Sequence, residues 1–253
     1  MMTTDWLWSI ALYTAAIFAL VGAFGLIHPL RRVHRSNRRH AAVMMLLGLA
    51  VAYAIWRSMP PSQTSMAHHA IDEFAPVFHF REHHETTIAA PPTRIYSAIR
   101  AVSADEIALF RTFTWLRRFG RSGPENILNA PEHQPIIDVA TKTGFLLLRD
   151  QPPREVVIGA VVVSPPGTSR PNHFAAEDYK QLALPGFAKA TMNFRIEEMG
   201  GGMSRVVTET RVFATDRAAL GRFTPYWRVI FPGSAFLRIT WLRAIKSRAE
   251  RAS

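Results

Sequence analysis

Apolar and polar positions follow three different rhythms along this chain of 253 residues. Near the N-terminus there is no alternation. From Trp6 to Ile27 the sequence WLWSIALYTAAIFALVGAFGLI runs 22 residues without a charge, and AAVMMLLGLAVAYAIW, Ala41 to Trp56, adds 16 more. About 20 such residues cross a bilayer. The flanking His40 and Arg57 can snorkel, and local thinning of the bilayer covers the shorter run. Both runs are apolar all round rather than striped, unlike a buried hairpin of a soluble protein. The opening MMTTD lacks the positive charge of a signal peptide. Two transmembrane helices, 6–27 and 41–56, are therefore expected.

The middle of the chain reads with period two. FHFREHHETTI, Phe78 to Ile88, is β-branched at its end and stops before Pro91 and Pro92, so it predicts a strand. The prolines then open a short helix with Ile95, Tyr96 and Ile99 inward. Ser103 and Glu106 form a capping box, which predicts a second helix running to about Phe119. PIIDVATKTG predicts a short helix ended by Gly144. FLLLRDQ and REVVIGAVVV predict a hairpin. Along Phe187 to Met199, Ala188, Ala190, Met192, Phe194 and Ile196 alternate with Lys189, Thr191, Asn193, Arg195 and Glu197, as in a half-buried strand. Gly200, Gly201 and Gly202 turn it into its partner SRVVTETRVFAT.

From Asp216 onward the spacing becomes helical, with Trp227, Ile230, Trp241, Leu242 and Ile245 in phase. Pro225 and the Pro232-Gly233 pair are expected to kink or interrupt that helix. Residues 58–76 are rich in Pro, Ser and Ala and read as a linker. Residues 164–186 are too long for a simple connection and read as a partly ordered flap.

The α+β order of strand, two helices, antiparallel strands and long final helix resembles the START-like or helix-grip superfamily. That group includes the polyketide cyclase/dehydrase-like (SRPBCC) domains. The resemblance rests on ETTIAAPPTRIYSAI, on the strand pair FAKATMNFRIEEM and SRVVTETRVFAT, and on the closing WLRAIKSRAE. It implies a curved antiparallel sheet around the C-terminal helix over residues 77–253, behind a membrane anchor of residues 1–57. Between sheet and helix it implies a cavity for an apolar ligand.

Charge locates the chain more than it classifies it. The net charge of +11 includes six arginines in residues 1–60 set against one aspartate. Five of them, Arg31, Arg32, Arg35, Arg38 and Arg39, lie between or beside the two apolar runs. The positive-inside rule puts residues 28–40 in the cytoplasm and the C-terminal domain outside it. Arginines at the interface pair with anionic lipid. The other basic residues are scattered without a nucleic-acid module, so the bilayer and a hydrophobic small molecule, not nucleic acid, are the expected partners. With no cysteine there is neither a disulfide frame nor thiolate chemistry.

The candidate chemistry is sparse. In FHFREHHE a helix would bring His79 and His83 onto one face. A strand separates them and puts Phe78, Phe80, Glu82 and His84 on one side, leaving His84 as the one histidine that could face a cavity. Glu209 and Arg211 share a strand face with Val207 and Phe213. Inward they would be a cavity ion pair; outward they would be a surface pair, the reading preferred here, and the register is left open by the glycine turn. Met192, Phe194, Ile196, Trp227, Ile230 and Trp241 are the expected ligand-lining residues, or simply core. No nucleophile elbow, phosphate loop or zinc motif occurs, and no metal, cofactor or catalytic residue is expected. Binding or transfer of a hydrophobic small molecule or lipid is the leading reading. Cyclase- or hydrolase-like chemistry in the same cavity and a non-catalytic role in envelope assembly are the alternatives.

A reporter active only in the cytoplasm, fused at the C-terminus, is expected to stay inactive. Strong activity would reverse the orientation.

Overall fold

The computed structural model describes residues 4–28, 36–66, 68–118, 120–121, 125–168 and 175–251. The chain forms two compact units: Met1–Pro60 with Gly221–Pro232, and Pro61–Leu220 with Gly233–Ser253. The first is built on α1 (Thr4–Ile27) and α2 (Ser36–Arg57). Both are long and apolar enough to cross a membrane, yet only 22% and 11% of their apolar stretches are buried. Leu20, Phe24, Leu46 and Tyr53 are well exposed. The helices meet, antiparallel, through small residues. A Cβ on Gly22 would lie 2.5 Å from the Met45 amide nitrogen, and one on Gly48 would lie 2.6 Å from that of Ala19. Such close backbone approach is how helices associate where water provides no hydrophobic drive. Arg38 and Arg39 lie in the first turn of α2, whereas Arg31, Arg32 and Arg35 lie outside the described residues.

The second unit begins where a bare linker was expected. Residues 58–76 include β1 (Gln63–Thr64) and α3 (Ala70–Phe74), and Ile71 and Phe74 are buried. There follow β2 (Val77–Phe78), which pairs with β1, then β3 (Phe80–Ile88) and α4 (Pro92–Ala101). The helix expected from Ser103 is divided. Glu106 accepts the Ser103 amide at 2.9 Å, as a capping box requires, but the result is one 3-10 turn, Ala104–Glu106. Leu109 at φ 58° is left-handed and cannot continue a right-handed helix, so α5 (Phe110–Arg117) starts anew; Phe119 lies outside the described residues.

α6 (Ile136–Lys142), the hairpin β4 (Leu146–Gln151) and β5 (Glu155–Val163), and α7 (Ala176–Gln181) come next. The expected flap contains α7, and residues 169–174 of it lie outside the described residues. β6 (Ala188–Gly200) and β7 (Met203–Ala214) are joined by three glycines at positive φ, a backbone other residues enter reluctantly. The chain ends in α8 (Arg217–Arg251).

The five long strands form one antiparallel sheet in the order β3-β7-β6-β5-β4. On one face, Trp241, Leu242 and Ile245 of α8 pack with Ile88, Val156, Ile158, Met192, Phe194 and Val206, together with Ile95 and Ile99 of α4 and Ile137 of α6. This is an α+β helix-grip layout. The opposite face is covered too. Ile71, Phe74 and Tyr179 from α3 and α7 pack on Leu148 and Val157. Lys189, Thr191 and Asn193, expected to face solvent, are therefore buried.

Pro225 and Pro232 do not interrupt α8, which is one helix through both. Pro232 has no N–H to give to the Arg228 carbonyl four residues back. The Ser9 hydroxyl donates there instead at 2.8 Å, and one turn further along α1 the Tyr13 hydroxyl donates to the Val229 carbonyl at 2.7 Å. Residues 221–232 thus pack on the first turns of α1, where Trp6 meets Phe231 edge-on at 5.3 Å.

Gly22→Leu is expected to force the α1–α2 seam apart and lower stability in SDS-titrated unfolding by about 1–3 kcal/mol. Leu20→Ala, on the exposed side, should stay near neutral. Equal effects would refute the seam.

Candidate functional site

The register of β3 on β7 sets Glu82 opposite Thr210 and His84 opposite Thr208, on the face that α8 covers. Glu82 is 2% exposed. One carboxylate oxygen lies 3.1 Å from His84 Nε2, and the other accepts the Ser234 hydroxyl at 2.8 Å. Ser234 and Arg238 stand one turn apart on α8, so both reach the sheet from the same side of the helix. Arg238 donates to Thr210 Oγ1 at 3.0 Å, and its guanidinium sits 5.4 Å over the Trp241 ring. Phe194 meets that ring edge-on at 4.9 Å.

Burial pulls the Arg238 guanidinium down to about 10, with Arg117 adding to the effect and Glu82 opposing it, so it stays charged at neutral pH. Two buried donors here, Arg238 Nη1 and Trp241 Nε1, have no acceptor among the described residues. Leaving such a group unpaired costs about 1–3 kcal/mol, more when it is charged. An acceptor atom placed against them would relieve that cost. Chemically, the arrangement offers two buried N–H donors, from the arginine and the indole, to an electron-rich acceptor beside the apolar rings of Phe194 and Trp241. Glu82 can also orient His84 for proton transfer.

A second polar group occupies the other face. Arg211 donates to Glu209 at 2.6 Å, to Asp72 at 2.6 Å and to the Ala75 carbonyl at 2.9 Å. Arg81 donates to Glu209 at 2.7 Å. Asn193 accepts the Glu209 amide and donates to Glu155, which accepts the Ala70 amide. This network ties α3 to the sheet. Burial alone would push the Glu209 carboxyl up, but hydrogen bonds from Arg81 and Arg211, the charge of Arg211 and the nearby His83, 3.8 Å away, outweigh it and hold it far below the usual range. Nearby, Lys189 donates to the carbonyls of Tyr179 and Lys180 at the end of α7, and burial lowers it to about 8.

The predicted residues are therefore sorted unequally. His84, Met192, Phe194, Ile196 and Trp241 share the face covered by α8. Glu209 and Arg211 lie on the opposite face: they are neither the cavity pair nor the surface pair expected, because α3 covers them. Trp227 and Ile230 fall in the other compact unit, with Trp227 in tilted ring contact with Phe223 and Phe231. Glu82, Thr210, Ser234 and Arg238 were not singled out by the sequence. Glu82 was visible two residues from His84 on one strand face, and the other three depend on how the helix is rotated on the sheet. Among the described residues, no group of three or more His, Asp or Glu is placed to hold a metal.

No protein-family profile and no curated protein matches the chain. Solved structures with a partial likeness include the ZhuI aromatase/cyclase from Streptomyces sp. R1128 (14% identity, covering 68% of this chain and 94% of that one, TM-score 0.28). CalU16 from Micromonospora echinospora is another (15%, 76% and 95%, TM-score 0.25), as is TTHA0849 from Thermus thermophilus (12%, 69% and 99%, TM-score 0.28). Likeness this low says nothing about activity. The fold description rests on the sheet and helix themselves.

Glu209 has a depressed pKa in the folded protein, so its stabilisation is present above the ordinary carboxyl value of 4.5 and fades as pH falls below it. Glu209→Gln is expected to cost about 3–5 kcal/mol at pH 7 by leaving Arg211 short of a partner. The variant should also lose less stability than the parent between pH 5 and pH 3 in denaturant titrations. Equal losses would show that Glu209 is not the group responsible.

Proposed function

We propose that the protein is a two-pass membrane protein whose helix-grip domain binds or transfers a hydrophobic small molecule or lipid between sheet and C-terminal helix. The observation that carries this reading is the pair of buried donors without acceptors among the described residues, Arg238 Nη1 and Trp241 Nε1, where the polar group of Glu82, Thr210 and Ser234 borders Phe194 and the apolar core. Such sites take a mostly apolar ligand and fix its orientation with a few polar contacts. The ligand class that fits has an apolar body and one acceptor end, such as a carboxylate, a phosphate or a carbonyl.

Membrane anchoring is supported by the exposed apolar surface of α1 and α2. A soluble protein would leave that surface in water, whereas a bilayer solvates it. In this reading residues 28–40 are cytoplasmic, residues 58–76 leave the membrane, and residues 77–253 carry the ligand site outside the cytoplasm. A second reading is favoured by one observation, the Glu82–His84 pair at 3.1 Å: cyclase- or hydrolase-like chemistry with His84 as base.

Native mass spectrometry of the detergent-released protein, with lipid extraction, is expected to find a reproducible apolar ligand. Arg238→Leu should lower its occupancy roughly 10- to 100-fold, as for loss of one charged hydrogen bond. A site found empty from several expression hosts would refute the binding role. Turnover of the identified ligand that is lost in His84→Gln would favour the enzyme reading.

A further inference from the structure

We infer that residues 221–232, the first half of α8, are a third membrane-embedded element, inserted part-way into the leaflet where α1 begins and α2 ends. This rests on the reading of α1 and α2 as membrane-spanning, and four observations inside that compact unit carry it further.

The first is how the helix deals with Pro232. In water, a carbonyl freed by proline is solvated at no cost. In a bilayer it must find a donor on a neighbouring helix. The Arg228 carbonyl, the one that Pro232 frees, is met by Ser9, a residue with no exposed surface, and Tyr13 adds a bond to the next carbonyl, Val229. Ser9 lies four residues beyond Asp5 along α1, about 6 Å at 1.5 Å per residue, and the Tyr13 hydroxyl reaches back toward the same level, so both carbonyls sit within the first turns of α1.

The second is the level of Arg228. Its guanidinium donates to the Ser58 carbonyl and hydroxyl at 2.8 Å, just past the end of α2, and stacks 4.8 Å over Trp8. A cation at the end of a spanning helix, held by backbone oxygen and an indole, matches the headgroup boundary.

The third is where the amphipathic aromatics fall. Every Trp and Tyr of α1 and α2, namely Trp6, Trp8, Tyr13, Tyr53 and Trp56, lies at this one end, and Tyr226 and Trp227 join them. That is the composition of an interfacial belt.

The fourth is the outward face of the segment. GRFTPYWRVIFP contains no acidic residue, and Tyr226 and Val229 are 39% and 42% exposed. Twelve residues of helix span about 18 Å, little more than half of the ~30 Å hydrocarbon core, so the segment can enter the bilayer but not cross it.

The chain has no cysteine, so single cysteines report cleanly. Y226C, V229C, L20C on α1 and L184C in the other unit are each labelled with bimane and reconstituted in phosphatidylcholine vesicles. Quenching by brominated acyl chains is then compared with quenching by aqueous iodide. The expected result is that Y226C and V229C lose fluorescence to the brominated lipid about as much as L20C does, while L184C responds only to iodide. If L20C is quenched by lipid but Y226C and V229C follow L184C, the inference is overturned and the two-helix anchor stands. If L20C also follows L184C, the anchor reading falls and takes the inference with it. Protection of V229C from both quenchers means that protein covers the face, which likewise overturns the inference.

Discussion

The pairing of β3 with β7 is the constraint on which the sheet-bearing unit of the molecule depends. It places Glu82 opposite Thr210 and His83 opposite Glu209, and thereby sends the charged residues of one strand to two different destinations. A slip of one residue would exchange them. Arg81 and His83 would then meet α8, and Glu82 would lie under α3. The network around Arg211 on one face helps to hold the register that keeps Glu82 and His84 on the other.

The two faces use buried charge differently. Around Arg211 every nitrogen has a partner: two carboxylates, a backbone carbonyl and the Ser65 hydroxyl take four of its five donors. That is what a structural tie requires, since breaking a buried pair costs far more than breaking an exposed one. Around Arg238 only one described hydrogen bond is made, and the charge is left partly unanswered. Incomplete satisfaction in a buried position is a cost the fold does not need for packing. It is the physical ground for placing a ligand there rather than beside Glu209.

The strands were legible in the sequence because alternation is local. Met192, Phe194 and Ile196 declare a common face whatever else the chain does, and the glycine turn declares the hairpin. What could not be read was what covers each face. AIDEF is too short to stand out as a helix, so the burial of Glu209 and Arg211 beneath α3 was hidden and the strand looked half-solvated. A helical stripe likewise says nothing about what it packs against. Trp227 and Trp241 lie in the same helical pattern, yet Trp241 joins the sheet and Trp227 joins residues beside α1. The reason α8 survives Pro232 lies more than 200 residues away, in Ser9. Such a hydroxyl donor to a stranded carbonyl carries no sequence signature of its own.

The account turns on whether the indole N–H of Trp241 meets a ligand. Its ¹⁵N–¹H resonance, identified among the six tryptophans by its loss in Trp241→Phe, can be followed before and after the protein is stripped of bound small molecules. The account predicts that the resonance shifts on stripping and returns when the extracted material is added back. A Trp241 resonance that stays in place throughout, while the extract demonstrably binds, would contradict it.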